Sequence, residues 1–251
     1  MARPGAALVT GAGARLGKAM AEALGADGWD VAVHFSRTKD GAEHTAQNIK
    51  AMGQNAAAVQ ADLSVETETA SLVANASKAL QQPITLLVNS ASTFFDDTAR
   101  DHKRSDWDRH MDVNLRAPIL LAQSFANALP TDTKGNIINM IDQRVWKLNP
   151  QFFTYTLSKS ALWSATQTLA QALAPNIRVN AIGPGPTLRS IHQSAQDFAK
   201  EVDATLTGEG SSPDEIIKAL RYLISASSVT GQMIASDGGQ HLLWQTPDLE
   251  M

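Results

Sequence analysis

The chain has 251 residues, of which 43% are hydrophobic, and it carries a formal net charge of −4 with a pI of about 5.8. It has no cysteine and no basic run, which excludes disulfides, thiol nucleophiles and Cys-ligated metals and gives no reason to expect a nucleic-acid partner. The start of the chain is too short for a signal peptide and no apolar run approaches ~18 residues, so we expect a cytoplasmic protein with no membrane segment and no metal site.

Short apolar runs alternate with longer segments of helical period along the whole chain. The predicted strands are 6–11, 29–35, 55–63, 84–92, 135–142, 176–185 and 231–239. The predicted helices are 15–28, 40–52, 66–81, 104–129, 152–173 and 212–225. Such alternation predicts a single α/β domain over residues 1–251, a Rossmann-like, doubly wound, parallel seven-stranded sheet with helices on both faces.

The only long segment without a pattern is 184–212. It follows the carboxyl end of a strand, where doubly wound sheets bind ligands, so we expect a substrate loop there. A helix within the segment is the alternative.

A glycine-rich turn, VTGAGARLGKA (9–19), separates the first strand from the first helix. Its glycines at 11, 13 and 17 allow a tight turn and close backbone approach, and the helix N-terminus favours a pyrophosphate. An ordinary β–α turn would look similar, but the strand before it and the helix after it favour a dinucleotide site.

The end of the second strand, HFSRTKD (34–40), carries no carboxylate to hold a ribose 2′-hydroxyl. Arg37 and the neighbouring hydroxyls could instead hold a 2′-phosphate, and Arg15 adds positive charge nearby. We therefore predict NADPH. The alternative is that Arg37 is a solvated surface residue and Asp40 or another group contacts the ribose. After the third strand, Asp62 could contact the adenine edge or cap the next helix.

Tyr155 and Lys159 are one helical turn apart and share a face. A tyrosine beside an ammonium can serve as a proton donor with a lowered pKa. The alternative is a core aromatic on an amphipathic helix, but the flanking threonines and serine make this turn a poor core segment.

These motifs occur in order with ADL (61–63), VNSAS (88–92), Asn114, RVNAIGPG (178–185) and DGG (237–239). The set resembles the short-chain dehydrogenases/reductases over about residues 5–241. The resemblance implies that Tyr155 donates the proton, that Lys159 lowers its pKa and holds the nicotinamide ribose, and that Asn114 supports a water relay. It implies cofactor contacts for Gly11, Arg15, Leu16, Gly17, His34, Phe35, Ser36, Arg37, Asp62, Leu63, Asn89, Ser90, Ala91, Tyr155, Lys159, Pro184, Gly185, Thr187 and Leu188.

Three positions depart from the usual pattern of that family. Asp142 stands where a serine is general, NSAS replaces an Asn-Asn-Ala-Gly run, and Arg15 replaces a glycine. With STFF (92–95), these departures are similar to the pteridine reductases and the short-chain-type dihydromonapterin or dihydrofolate reductases. That similarity implies that Phe94 stacks on a pterin. The implied substrate-binding set is Arg15, Ser92, Phe94, Asp142 and Tyr155.

An aspartate at 142 changes the chemistry. An ionised carboxylate cannot donate a hydrogen bond to a ketone oxygen and would repel an alkoxide, whereas it stabilises the cation formed when a C=N nitrogen gains a proton. Asp142 and Tyr155 therefore favour imine reduction in a heterocycle. The alternative is that Asp142 only caps the loop after the fifth strand.

Two other functions remain open from the sequence: a general carbonyl reductase acting on a ketone, sugar or acyl thioester, and a non-catalytic NADPH-binding protein. The family resemblance also implies a homotetramer formed through the helices 104–129 and 152–173. In that arrangement Leu162, Trp163, Thr166 and Leu169 would partly face a partner, although each could equally be a core position.

Overall fold

The computed structural model describes residues 4–190 and 193–244. The strands in these residues are β1 (Ala6–Val9), β2 (Asp30–Phe35), β3 (Ala56–Gln60), β4 (Ile84–Asn89), β5 (Gly135–Met140), β6 (Ile177–Pro184) and β7 (Met233–Ser236). The α-helices are α1 (Arg15–Ala26), α2 (Lys39–Ala51), α3 (Glu66–Leu80), α4 (Arg104–Met111), α5 (Ala117–Ala128), α6 (Phe153–Leu173), α7 (Ala195–Asp203) and α8 (Pro213–Ser225). Short 3-10 turns cover Gln143–Val145 and Gln240–Leu242.

The described strands form one seven-stranded sheet in the order β3-β2-β1-β4-β5-β6-β7, and every pairing is parallel. The predicted doubly wound parallel sheet is confirmed. The chain runs outward from β1 to β3, then returns to the middle and runs outward again from β4 to β7. The crevice at the carboxyl ends of β1 and β4 is therefore the place where such a sheet binds ligands.

Two apolar layers cover the two faces of the sheet. Alternate residues of β1 point to opposite faces, so Leu8 packs against the α3, α5 and α6 side and Val9 against the α1, α2 and α8 side. Phe125 anchors the first layer and Met20 the second, both fully buried. This double coverage explains why the strands read as continuous apolar runs.

The predicted helix 104–129 is interrupted. A π-helical segment, Asp112–Arg116, separates α4 from α5. Pro118 follows at the start of α5 and has no N–H to donate to the preceding turn, which favours a change in helical winding at this point. Asn114 lies within this segment.

The unpatterned segment 184–212 contains α7, so the alternative of a hidden helix is confirmed. Ser194 caps α7 by accepting a hydrogen bond from the backbone N–H of Asp197. The apolar residues of α7 are too few for a buried face, and no described residue of this helix is buried. The apolar residues of this segment therefore show only a weak helical period in the sequence.

Two of the four predicted partner-facing residues of α6 belong to the core of the chain itself. Leu162 and Thr166 are buried, and the Thr166 hydroxyl accepts a hydrogen bond from Asn139. Trp163 and Leu169 are half-buried. No helix among the described residues is both long and apolar enough to cross a membrane.

Candidate active site

A cleft of about 960 Å³ opens at the carboxyl edge of the sheet. The predicted site residues that line it are Gly11, Arg15, Leu16, Gly17, His34, Phe35, Ser36, Arg37, Asp62, Leu63, Ser90, Ala91, Ser92, Phe94, Asp142, Tyr155, Lys159, Pro184, Gly185, Thr187 and Leu188. The cleft thus combines both ends of the predicted site, the glycine turn and the Tyr/Lys/Asp group. Asn89 and Asn114 lie behind it.

The glycine turn has the close backbone packing that a dinucleotide site requires. Gly11 has a φ of +64°, and a Cβ on Gly17 would lie 2.3 Å from the Gly11 carbonyl oxygen. A Cβ on Gly11 would lie 2.9 Å from the Cα of Ala91. No side chain can enter here without moving backbone, so the turn exposes its amides beside the start of α1.

His34 lines the cleft, but its ring is engaged by the backbone. Nδ1 accepts from the Gly11 N–H at 3.1 Å, so Nε2 carries the proton and donates to the Ala61 carbonyl, also at 3.1 Å. Burial lowers the pKa of His34 to about 4. The hydrogen bond to the Ala61 carbonyl favours the protonated ring and raises the pKa, but its effect is smaller than that of burial. The His34 side chain, which lies on β2, therefore connects the glycine turn at Gly11 to the chain just after β3 at Ala61.

The end of β2 has the charge expected for a 2′-phosphate. Ser36, Arg37 and Thr38 line the cleft, and within the described residues no carboxylate lies within 4 Å of the Arg37 guanidinium. Asp62 bonds the N–H and hydroxyl of Ser64 through Oδ1, which lowers its pKa. It caps the turn before α3, while it also lines the cleft.

Arg15 links the glycine turn to the predicted substrate loop. Its φ of +53° is unusual for a non-glycine residue. Its guanidinium donates to the carbonyl oxygens of Leu188 and Arg189, both at 3.0 Å. The cofactor turn and the start of the loop are therefore joined by one exposed side chain.

The Tyr155 hydroxyl donates a hydrogen bond to Oδ2 of Asp142 at 3.0 Å. The other oxygen, Oδ1, accepts from the backbone N–H of Arg144 at 2.8 Å. Asp142 therefore does not only cap the 3-10 turn, because one oxygen caps it and the other faces the tyrosine hydroxyl. Lys159 donates from Nζ to the Met140 carbonyl at 2.9 Å and lies 5.7 Å from the Tyr155 ring centroid.

The predicted lowering of the Tyr155 pKa is wrong for this geometry. Burial and the Asp142 carboxylate, which accepts a hydrogen bond from the tyrosine hydroxyl, raise the pKa of Tyr155 well above its ordinary value of 10. Burial also raises the pKa of Asp142 and lowers that of Lys159 to about 8. Tyr155 is therefore a neutral acid, and the proton affinities of Asp142 and Lys159 are brought closer together.

The predicted catalytic asparagine fixes loops instead of lining the cleft. Oδ1 of Asn114 accepts from the backbone N–H of Thr93 at 2.8 Å and from the Ser92 hydroxyl at 3.1 Å. Its Nδ2 donates to the Thr93 carbonyl and to Ser158 on α6. Asn89 donates to Asn139 in the interior at 2.8 Å. Both asparagines are buried supports of the site.

A model of the short chain dehydrogenase family matches residues 5–200. The chain belongs to the short-chain dehydrogenase family. As a member of that family it is an oxidoreductase, and the ordered motifs, the parallel sheet and the Tyr155–Lys159 pair are accounted for together. The non-catalytic alternative is not supported.

The chain is similar to an FolM alternative dihydrofolate reductase 1 from Brucella canis, solved in complex with NADP. The two are 50% identical with a TM-score of 0.95, over 100% of this chain and 99% of that one. Glucose 1-dehydrogenase 2 of Bacillus subtilis (strain 168) is 31% identical over 94% of each chain. A 3-oxoacyl-[acyl-carrier-protein] reductase of Synechocystis sp. is 30% identical over 93% of this chain and 95% of that one.

Two phenylalanines, Phe94 and Phe152, form an aromatic wall beside Tyr155 in the cleft of this short-chain dehydrogenase, and the sequence predicted only Phe94. Phe94 stacks on Phe152 at 4.3 Å between ring centroids with 18° between planes, and it meets Tyr155 edge-on at 4.7 Å. Phe152 is not among the residues predicted from the sequence. Its position directly before the helix that carries Tyr155 is its signal in the sequence, whereas its φ of +53° appears only in the structure.

A buried polar cluster fixes this wall. Asp97 accepts the backbone N–H of Thr154 at 3.0 Å and also its hydroxyl. The same hydroxyl lies 2.6 Å from Nδ1 of His110, whose Nε2 accepts from the Phe95 N–H. The loop that carries Phe94 and the start of α6 are thus tied together at a distance in sequence that no local pattern reveals.

Proposed function

We propose that this short-chain dehydrogenase is a cytoplasmic, NADPH-dependent reductase of a C=N bond in a pterin-like heterocycle. The observation that carries the proposal is the contact between the Tyr155 hydroxyl and Asp142 Oδ2 at 3.0 Å, in a cleft with an aromatic wall. A buried carboxyl group beside the proton donor suits a substrate whose ring nitrogen gains a proton, because its acid form can resupply Tyr155 and the carboxylate that remains stabilises the protonated ring.

NADP(H) is the cofactor that the residues fit best. The close-packed glycine turn suits a pyrophosphate, and Arg37 with Ser36 and Thr38 suits a 2′-phosphate. The solved relative with 50% identity was crystallised with NADP. When bound, NADPH supplies the hydride.

The residues of the chain supply the proton. Tyr155 donates its hydroxyl proton to the ring nitrogen next to the carbon that is reduced. Asp142, whose pKa is raised by burial, can be protonated and return a proton to Tyr155 through their hydrogen bond. Lys159 places a positive charge below the tyrosine ring and offsets the negative charge that develops there.

The substrate ring would lie against Phe94, which already presents a stacked pair with Phe152. Ser92 lines the same part of the cleft and its hydroxyl is held by Asn114. An amino-pyrimidine edge carries N–H donors, for which the oxygens of Asp142 and Ser92 are suitable acceptors.

Reduction of a carbonyl compound is the second candidate. The 3-oxoacyl-[acyl-carrier-protein] reductase named above carries out that chemistry by its name, and the Tyr155–Lys159 pair suits it. A protonated Asp142 could donate a hydrogen bond to a carbonyl oxygen. An ionised Asp142 would hinder it, so the two candidates differ in their response to a serine at 142.

The discriminating experiment is NADPH oxidation with 7,8-dihydrobiopterin, dihydromonapterin and dihydrofolate beside a panel of simple ketones, for the wild type and Asp142→Ser. We expect pterin turnover that collapses in Asp142→Ser. Absent pterin turnover, with ketone reduction kept or improved in the variant, would contradict the pterin proposal and favour the carbonyl reductase.

We further propose that residues 1–251 act as one catalytic domain in which 184–212 closes over the substrate, and that the protein is a homotetramer. Trp163 and Leu169 on α6 pack against the core of the chain itself but remain partly exposed, and this exposed apolar surface supports an association through that helix. Light scattering on the purified protein tests the tetramer, and a monomer mass would contradict it.

A further inference from the structure

A second cavity, of about 330 Å³, adjoins the substrate end of the cleft. Gln143, Arg144 and Phe152 line both cavities on the side of Asp142 and the aromatic wall. The other residues shared by the two linings are Gln193, Glu201 and Gln240. A substrate ring on the wall could therefore extend a substituent into the second cavity.

Arg144 is the unusual group at this boundary. Its guanidinium lies over the Phe152 ring, 5.0 Å from the centroid. Its Nε and Nη1 are buried, yet among the described residues neither has a hydrogen-bond acceptor. The Asp142 carboxylate accepts its two hydrogen bonds from the backbone N–H of Arg144 and from the Tyr155 hydroxyl, and neither comes from the Arg144 guanidinium.

The charges that line the second cavity leave a positive excess. Lys147 is the second cation and donates to the Gln240 carbonyl at 3.4 Å. The one lining carboxylate, within the described residues, is Glu201, and its two oxygens accept from the side-chain amides of Gln193 and Gln240. Neither cation has a carboxylate partner within 4 Å in the part of the chain described.

We propose that Arg144 and the second cavity form a subsite for an oxyanion, a carboxylate or phosphate, at the end of the substrate's side chain. The proposal rests on the proposed pterin reductase function and adds the class of substrate. A guanidinium presents planar donors that match the oxygens of either anion, and stacking on Phe152 fixes its plane. A shift of the side chain toward the cavity would bring the two buried donors to a bound anion, which would supply the acceptors that they lack among the described residues.

The test compares three substrates that share the reduced pterin ring: 7,8-dihydrobiopterin with an uncharged side chain, 7,8-dihydrofolate with carboxylates, and 7,8-dihydroneopterin 3′-phosphate. Each is assayed with wild type, Arg144→Met, Arg144→Lys and the control Arg100→Met, which removes an exposed arginine. Arg144→Met keeps a long side chain over Phe152 and removes the charge and the donors.

We expect Arg144→Met to raise KM for an acid-bearing substrate about 10- to 100-fold relative to KM for dihydrobiopterin, as loss of a charge-assisted contact implies. Arg144→Lys should restore part of that ratio, and Arg100→Met should leave it unchanged. A response with dihydrofolate identifies a carboxylate, and one with the phosphate ester identifies a phosphate. An equal rise for all three substrates, or no rise, would overturn the subsite.

A wild type that reduces none of the three would contradict the pterin function but still leave the subsite testable. In that case the NADPH-loaded protein is titrated with p-aminobenzoylglutamate and with inorganic phosphate. Binding that is lost in Arg144→Met and kept in Arg100→Met supports the oxyanion subsite. Equal binding by both variants, or none by the wild type, overturns it.

Discussion

Replacing Asp142 by asparagine tests the proton pathway most directly, because the amide keeps the shape of the side chain and its acceptor for the Arg144 N–H. It removes the charge and the acid. A hydrogen bond to a charged group is worth about 1.5–3 kcal/mol, and the Tyr155–Asp142 contact is a single such bond at 3.0 Å. At about 1.4 kcal/mol per tenfold change in rate, we expect kcat/KM for a pterin to fall roughly 10- to 150-fold.

The pH profile separates this role from simple structural damage. Burial raises the pKa of Asp142 above 3.8, so its protonated form persists to higher pH than an ordinary carboxylic acid and then declines. Reduction consumes a proton, so wild-type kcat/KM should fall as pH rises through that pKa, and again near the Lys159 pKa of about 8. Asp142→Asn should lose the first of these declines, and the second should move to lower pH because the Asp142 charge raises the Lys159 pKa.

The assay is NADPH oxidation with a dihydropterin between about pH 5 and 9 for the wild type, Asp142→Asn and Asp132→Asn. Asp132 is exposed and lies in the loop before β5, at the opposite edge of the sheet from the cleft, so it controls for the loss of a carboxylate. An Asp142→Asn enzyme with the wild-type rate and an unchanged pH profile would refute the proton pathway.

Three further predictions concern the cofactor end of the cleft. Arg37→Met should reduce kcat/KM for NADPH about 10- to 150-fold with little effect on kcat/KM for NADH, because a charge-assisted bond to the 2′-phosphate is lost. Arg100→Met is the control. An equal loss with both cofactors would contradict the assignment of Arg37 to the 2′-phosphate. Gly17→Ala should lower Tm and weaken NADPH binding in calorimetry, because the added Cβ would lie 2.3 Å from the Gly11 carbonyl oxygen. Overpacking of this kind costs about 1–3 kcal/mol of stability. A Gly17→Ala variant with the Tm of the wild type would show that the turn can relax. Folding lowers the pKa of His34 from 6.5 to about 4. As pH drops from 6.5 to about 4, His34 is protonated in the unfolded chain but not in the folded one, so the free energy of unfolding decreases over that range. At about 1.4 kcal/mol per pKa unit the loss is about 3 kcal/mol, measurable by urea unfolding at pH 7 and pH 4, and His34→Gln should lack this contribution; an identical slope in that variant would assign it to other groups.

The parallel sheet was predictable because each strand and helix is signalled locally by a run of apolar residues with a fixed period. The glycine turn and the one-turn spacing of Tyr155 and Lys159 are also local. The sequence indicates α7 only as an alternative, since its few apolar residues are not buried, and it does not indicate the π-helical segment around Asn114, which has no period of its own.

Several side-chain roles depended on contacts between distant parts of the chain. The sequence placed His34 at the cofactor, but only the fold shows its ring held between Gly11 and Ala61. Phe152 was missed because its partner Phe94 is far away in sequence. The expected lowering of the Tyr155 pKa was wrong, since a four-residue spacing says nothing about burial or about which charge contacts the hydroxyl.

The class of fold, the family and the proposed cofactor site can be inferred without coordinates, because they depend on short motifs whose order along the chain fixes their position on a doubly wound sheet. The contacts of Asp142 follow from the fold alone, as does the position of Arg144 beside a second cavity, where its Nε and Nη1 have no acceptor among the described residues. Such features arise where loops from different strands converge at the carboxyl edge. Hydrogen bonding and desolvation there depend on side chains that are adjacent only after folding.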